Sequence, residues 1–185
     1  GPQRMALHAN RSGESAATAT TLELRTVRVT NSTNFGVDAL NTQTLLVTTS
    51  DFIDNGGAGG NSIRARATAA GTYTAQFLTN YFEDASDGAI SYVSSGAGDG
   101  SSLNILVNGN EITTALAGGD AVHVDWNGPL VGAFTANMTH GTGGTNDAFD
   151  ITARSATHLA QLTFSNNPID FSSAVGVISN TAGMS

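Results

Sequence analysis

Residues 101–130, SSLNILVNGNEITTALAGGDAVHVDWNGPL, carry the reading on which the fold turns. They open on Leu103 to Val107, an apolar run with the residue types of a strand. Asn108-Gly109 follows, and both residues tolerate the positive φ that tight hairpin turns demand. The chain returns through Glu111-Ile112-Thr113-Thr114, passes Gly118-Gly119 and enters 120–128. Two readings compete there. Val122, Val124 and Trp126 alternate with His123 and Asp125, which is the period of a strand. Asp120 behind a glycine pair, with Gly128-Pro129 closing the segment, is instead the punctuation of a short helix.

Upstream, Leu22 and Leu24 alternate, slip by one, and alternate again at Val27 and Val29, which predicts one strand with a bulge. Thr42 to Thr49 reads as a strand whose Leu45-Leu46-Val47 is buried on both faces. Asp51 to Asn61 reads as a glycine-rich loop. Ser62 to Thr68 is a period-two strand with Arg64 and Arg66 outward. Thr72 to Phe82, Ala89 to Ser94, Leu130 to Thr139, Phe149 to Ala153 and Leu159 to Phe164 follow as further strands. Short strands about ten residues apart, broken by Gly, Asn and Asp, predict a mainly β chain. The expected architecture is an antiparallel β-sandwich or meander, with one short helix near 120–127 as its single exception. Its divisions are an N-terminal arm or linker at 1–20, a β module at 21–148, and strands in 149–185 that complete it or begin a next one.

Composition narrows the chemistry. The 185 residues include seven arginines and no lysine, which removes Schiff-base and phosphate-loop lysine chemistry. A net charge of −8 opposes nucleic acid and anionic membrane surfaces. With no cysteine there is no disulfide framework and no thiolate metal site. No apolar run approaches the roughly 20 residues of a membrane span. Gly1-Pro2 reads as the scar of a cleaved tag, and the closing Ala182-Gly183-Met184-Ser185, which carries no helix stop or cap, as the end of a piece excised from a longer chain. An acidic, Cys-free, Thr/Gly/Asn-rich chain suits an extracellular bacterial surface.

The order of pieces in 89–146 resembles the tandem-repeat modules of very large bacterial surface, adhesin-like and S-layer-like proteins. It also resembles the IN motif of flagellin and hook-associated proteins, where a strand pair leads to a short helix ending near Ile-Asn and then to another strand. The residues that carry the resemblance are Leu103, Ile105, Val107, Thr113, Thr114, Asp120, Val122, Trp126, Asn127, Pro129, Leu130, Val131, Ala133 and Ala136, with Trp126 standing where the motif has Ile. What the resemblance implies is a structural or self-assembling role, and a helix at 120–127.

Several residue sets invite chemistry. Calcium takes many oxygen ligands, and Asp/Asn/Gly loops supply them. Asp51, Asp54, Asn55 and Asn61 form one such set; Glu83, Asp84 and Asp87 a second; Asn146, Asp147 and Asp150 a third. None has EF-hand spacing, and the same residues also build turns. His8, His123, His140 and His158 are scattered, so a zinc site would require the fold to bring distant residues together. No G-x-S-x-G elbow marks a nucleophile, and Glu83/Asp84 as neighbours point to opposite faces of a strand. Asp120 reads as a cap and Asp125 as a solvated residue. Tyr73, Tyr81, Tyr92 and Trp126 are the candidate sugar-stacking platform, although aromatics serve burial first. The expectation is a non-catalytic structural or adhesive module that meets neighbouring modules or identical subunits. The alternative is a glycan-binding β-sandwich assisted by calcium.

Overall fold

The computed structural model describes residues 7–10, 20–56, 60–83, 87–114, 119–141, 147–154 and 160–171. The chain winds as successive coils of three strands. The first holds β1 (Leu7–Asn10), β2 (Thr21–Arg25) and β3 (Arg28–Thr30); the second β4 (Val37–Leu40), β5 (Thr44–Thr48) and β6 (Asp51–Ile53). The third holds β7 (Ile63–Ala67), β8 (Thr72–Leu78) and β9 (Tyr81–Glu83); the fourth β10 (Gly88–Ser94), β11 (Ser102–Asn108) and β12 (Glu111–Thr114). The fifth holds β13 (Asp120–Trp126), β14 (Leu130–Thr135) and β15 (Met138–Gly141); the last β16 (Phe149–Ala153), β17 (Ala160–Ser165) and β18 (Ile169–Phe171).

Each strand pairs with its counterparts one coil away, so the stack contains three parallel sheets of six strands. The chain is a β-solenoid of about five turns. This corrects the expected antiparallel sandwich or meander. Side-chain alternation reports which face of a strand is buried and carries nothing about the direction of its neighbours. Corner residues of a solenoid and turn residues of a hairpin also share one vocabulary, Asn, Gly and Asp.

The stretch 101–130 is one full circuit, because Leu103 in β11 pairs with Leu130 in β14. Asn108-Gly109 is not a hairpin turn. Gly109 alone takes positive φ, at 67°, and a type I′ turn needs two such residues. One left-handed residue bends the chain from the second sheet to the third instead of reversing it. Thr26, Thr49, Thr79, Ala136 and Asn166 do the same in the other coils, with φ between 49° and 55°. The slip between Leu24 and Val27 is therefore a corner at Thr26, not a bulge. The helix expected at 120–127 is strand β13, held in parallel between β10 and β16, with Val122, Val124 and Trp126 buried. Leu46 is half-exposed, so β5 buries one face and not both.

Behind the bend of every coil from the second to the last sits an inward polar residue, where the first coil has Val27, and these polar residues form a ladder. The Ser50 N–H donates to Asn80 Oδ1 at 3.0 Å and the Asn80 N–H to Asn110 Oδ1 at 2.9 Å. The Asn110 N–H donates to Asn137 Oδ1 at 3.2 Å and the Asn137 N–H to Asn167 Oδ1 at 3.0 Å. Each side-chain amide also donates down the stack, Asn110 Nδ2 to the Phe77 carbonyl at 2.8 Å and Asn137 Nδ2 to the Val107 carbonyl at 2.9 Å. Buried polar groups at the corner are thereby satisfied from within the stack.

The interior is a set of side-chain columns. Phe52 stacks on Phe82, ring centroids 5.1 Å apart, and Phe134 on Phe164 at 4.9 Å. Trp126 lies between Tyr73 and Tyr92, and its Nε1 donates to the Ser101 carbonyl at 2.8 Å. β16, β17 and β18 add the sixth strand of each sheet, so the described part of 149–171 continues the same stack. Among the described residues, no helix is long and apolar enough to cross a membrane.

Candidate functional site

The outer face of the first sheet is polar. Strand register places Asp38, Arg64, Ser91, His123 and Asp150 side by side across five strands. At one end of this row Asp38 is buried, with 1% of its surface exposed. Arg64 Nη2 reaches its carboxylate at 2.7 Å and Arg66 Nη2 at 3.0 Å, while the Arg64 guanidinium lies 3.6 Å over the Phe35 ring. Burial raises the Asp38 pKa, but the Arg64 hydrogen bond and the two guanidinium charges outweigh it, so the net shift is downward.

The other end of the row gathers titratable groups around a hollow of about 280 Å³ lined by Asn61, Asp87, Ser91, Val93, Gly119, Asp120 and His123. His123 Nδ1 lies 2.9 Å from Asp150 Oδ2 and 3.7 Å from Asp120 Oδ2. Two close backbone approaches build this corner. Gly88 has φ of 106°, and a Cβ there would lie 2.0 Å from the Asp120 carbonyl oxygen. A Cβ on Gly119 would lie 2.1 Å from the Asp87 carbonyl carbon. Only glycine lets these two segments touch, and their contact brings the Asp87 and Asp120 side chains to one hollow.

The electrostatics follow from crowding. The Asp120 carboxylate raises the His123 pKa and partial burial lowers it; Asp150, by charge and hydrogen bond, tips the balance upward. Burial raises the Asp87 carboxyl, the charge of Asp120 raises it further, and His123 opposes both. Three carboxylates thus share one imidazole. Asp120, His123 and Asp150 each offer a ligand atom within 4.8 Å of the others.

In the sequence these three residues read as unrelated: Asp120 as a cap, His123 as a scattered histidine, Asp150 as part of a loop cluster. The signal that unites them is the coil length, since His123 and Asp150 are 27 residues apart. In the first calcium set the two asparagines are used at corners. Asn55 accepts from the Ser32 N–H at 3.2 Å and donates to the Val29 carbonyl at 2.9 Å, and Asn61 donates to the Asp87 carbonyl at 2.6 Å. Both side chains hold corners in this way. Asp51 is half-buried in β6, Asp54 is exposed at its end, and Glu83 ends β9. Asp84 and Asn146 lie outside the described residues, whereas Asp147 donates its N–H to Asp120 Oδ1 at 3.0 Å.

Of the candidate sugar platform, Tyr73, Tyr92 and Trp126 are inside the coil and present no ring face to solvent; Tyr81 is half-buried in β9. Asp125 is not merely solvated, because Arg154 Nε contacts it at 2.5 Å. His140 sits half-buried in β15, His8 falls in β1, and His158 lies outside the described residues. The chain matches no family model, no curated protein and no solved structure.

Proposed function

We propose that this chain is a structural or adhesive module of an extracellular bacterial surface or filament protein, acting through its shape. The observation that carries this reading is the unbroken corner ladder from Ser50 to Asn167. It runs through successive coils with its donors and acceptors satisfied internally. At roughly 4.8 Å per strand spacing, five spacings give a rod about 24 Å long whose length is set by coil number. Such a stack transmits load along its axis through many parallel hydrogen bonds, with no single weak joint. The described end of the stack adds support. Ala148, Phe149, Phe164 and Ile169 line an apolar hollow of about 260 Å³, a surface suited to a further coil or an identical subunit.

Single-molecule extension of the chain within a polyprotein tests the reading. Resistance released in increments of about one coil is the expected result. Extension without measurable resistance would overturn it, as would micromolar sugar binding on a glycan array that persists after the rod is blocked from self-association.

A further inference from the structure

We propose that the side-chain cluster at the edge of the hollow on the outer face of the first sheet binds one divalent d-block cation of the zinc class, with Asp120, His123 and Asp150 as its protein ligands.

Three observations converge on this. The donor set is one imidazole nitrogen and two carboxylate oxygens. Calcium wants six to eight oxygens and magnesium an octahedral, water-rich shell, so an imidazole ligand selects a borderline cation instead.

The spacing also fits. Four ligands at about 2.05 Å around a tetrahedral zinc ion stand roughly 3.3 Å apart. The Nδ1–Oδ2 separations of 2.9 and 3.7 Å straddle that value, and all three ligand atoms lie within 4.8 Å of one another. The ligands are also held in place. His123 and Asp150 sit opposite each other on paired strands. The Asp147 N–H occupies Asp120 Oδ1, which leaves Oδ2 directed to the imidazole.

Charge supplies the third observation. Asp87 faces the same hollow, which makes three carboxylates around a single imidazole. The arginines of this face are engaged elsewhere: Arg64 and Arg66 at Asp38, and Arg154 at Asp125. A dication placed between Asp120 and Asp150 neutralises the surplus. The adjoining hollow leaves room for a metal-bound water, the arrangement of a three-ligand site with one open position.

The test is calorimetric titration of the metal-stripped chain with Zn²⁺, with Ca²⁺ and Mg²⁺ run in parallel, and absorption spectroscopy with Co²⁺. One saturable Zn²⁺ site is expected, with a Tm that climbs with zinc concentration. Bound Co²⁺ should show the intense visible bands of four-coordinate geometry. H123A and D150N should each weaken Zn²⁺ by roughly tenfold or more, the scale on which site groups tune affinity; H140A should leave it unchanged. Absence of saturable Zn²⁺ binding up to millimolar concentration would overturn the proposal. So would affinity undiminished in a folded D120N/D150N variant, or Ca²⁺ binding as tight as Zn²⁺. The Co²⁺ spectrum is read on the unaltered chain, so a variant that fails to fold leaves the proposal open to refutation.

Discussion

Asn110 Oδ1 accepts two hydrogen bonds from Asn80, one from its backbone N–H and one from its side-chain amide, both at 2.9 Å. Asn110 in turn donates to the Phe77 carbonyl, so one carboxamide satisfies three buried polar groups. Asn110→Ala leaves them without that partner. Each orphaned buried group costs about 1–3 kcal/mol, and water entering the corner recovers part of the sum. A loss of about 3 kcal/mol is expected, read as a lower urea midpoint at unchanged m value. Asn110→Asp should cost at least as much, because its second oxygen would face the Phe77 carbonyl and Asn137 Oδ1 to which Asn110 donates, and a carboxylate would be buried without a counter-charge.

Trp126 is the sole tryptophan of the chain and is fully buried between Tyr73 and Tyr92. Its fluorescence should be blue-shifted and shielded from acrylamide until the coil unfolds. Trp126→Phe keeps most of the volume but orphans the Ser101 carbonyl, at a cost of about 1–3 kcal/mol. Trp126→Ala opens a cavity as well and should cost about 3–5 kcal/mol. Chemical denaturation of the two variants separates these costs.

Asp38 links the first sheet to pH. Its folded pKa is below the ordinary carboxylate value, so the unfolded chain binds the proton more tightly than the folded one. The contribution is therefore complete above the unfolded pKa of about 3.9 and is lost as pH falls through the lower folded value. Asp38→Asn should flatten the acid limb of the stability curve and lower stability near neutral pH by about 1–3 kcal/mol. Thermal melts from pH 7 to pH 2 on the two proteins check this.

The strands and their buried faces are legible in the sequence, whereas the direction of their pairing is not. The alternation at Val122, Val124 and Trp126 pointed to a strand; the punctuation around it, Asp120 and Gly128-Pro129, argued for a helix. Asp120 opens strand β13, and Gly128-Pro129 serves a coil corner, where the chain turns just as it does at a helix end. The repeat was also present. LRTVRVT at 24–30, VTTSDFI at 47–53, FLTNYFE at 77–83, VNGNEIT at 107–113, FTANMTH at 134–140 and FSNNPID at 164–170 align with the left-handed residue third and the ladder position fourth, Val27 standing there in the first of them. Each Asn taken singly looks like a turn former, and only the recurrence near 30 residues shows that they stack. The Asp120–His123–Asp150 cluster depends on that same coil length, so it becomes visible only once the repeat is known.

Gly119 supports the hollow rather than lining it with chemistry. Gly119→Ala places a methyl 2.1 Å from the Asp87 backbone, and backbone cannot rotate away as a side-chain tip can. The two segments must separate. Destabilisation of about 1–3 kcal/mol is expected for such overpacking. Altered chemical shifts should centre on Asp87, Asp120 and His123 in two-dimensional NMR, with the Asn80–Asn110 corner unchanged.

The left-handed bends make chain length a divisible quantity. Removing residues 111–137 would join Asn110 directly to Met138 and lay β16 on β10, where the register sets Ile90 against Phe149 and Tyr92 against Ile151. A circuit of backbone would vanish while the ends of the rod kept their surfaces. Duplicating the same residues would lengthen it by an equal step. Evolution can therefore adjust the reach of such a protein by whole circuits, without redesigning its interior.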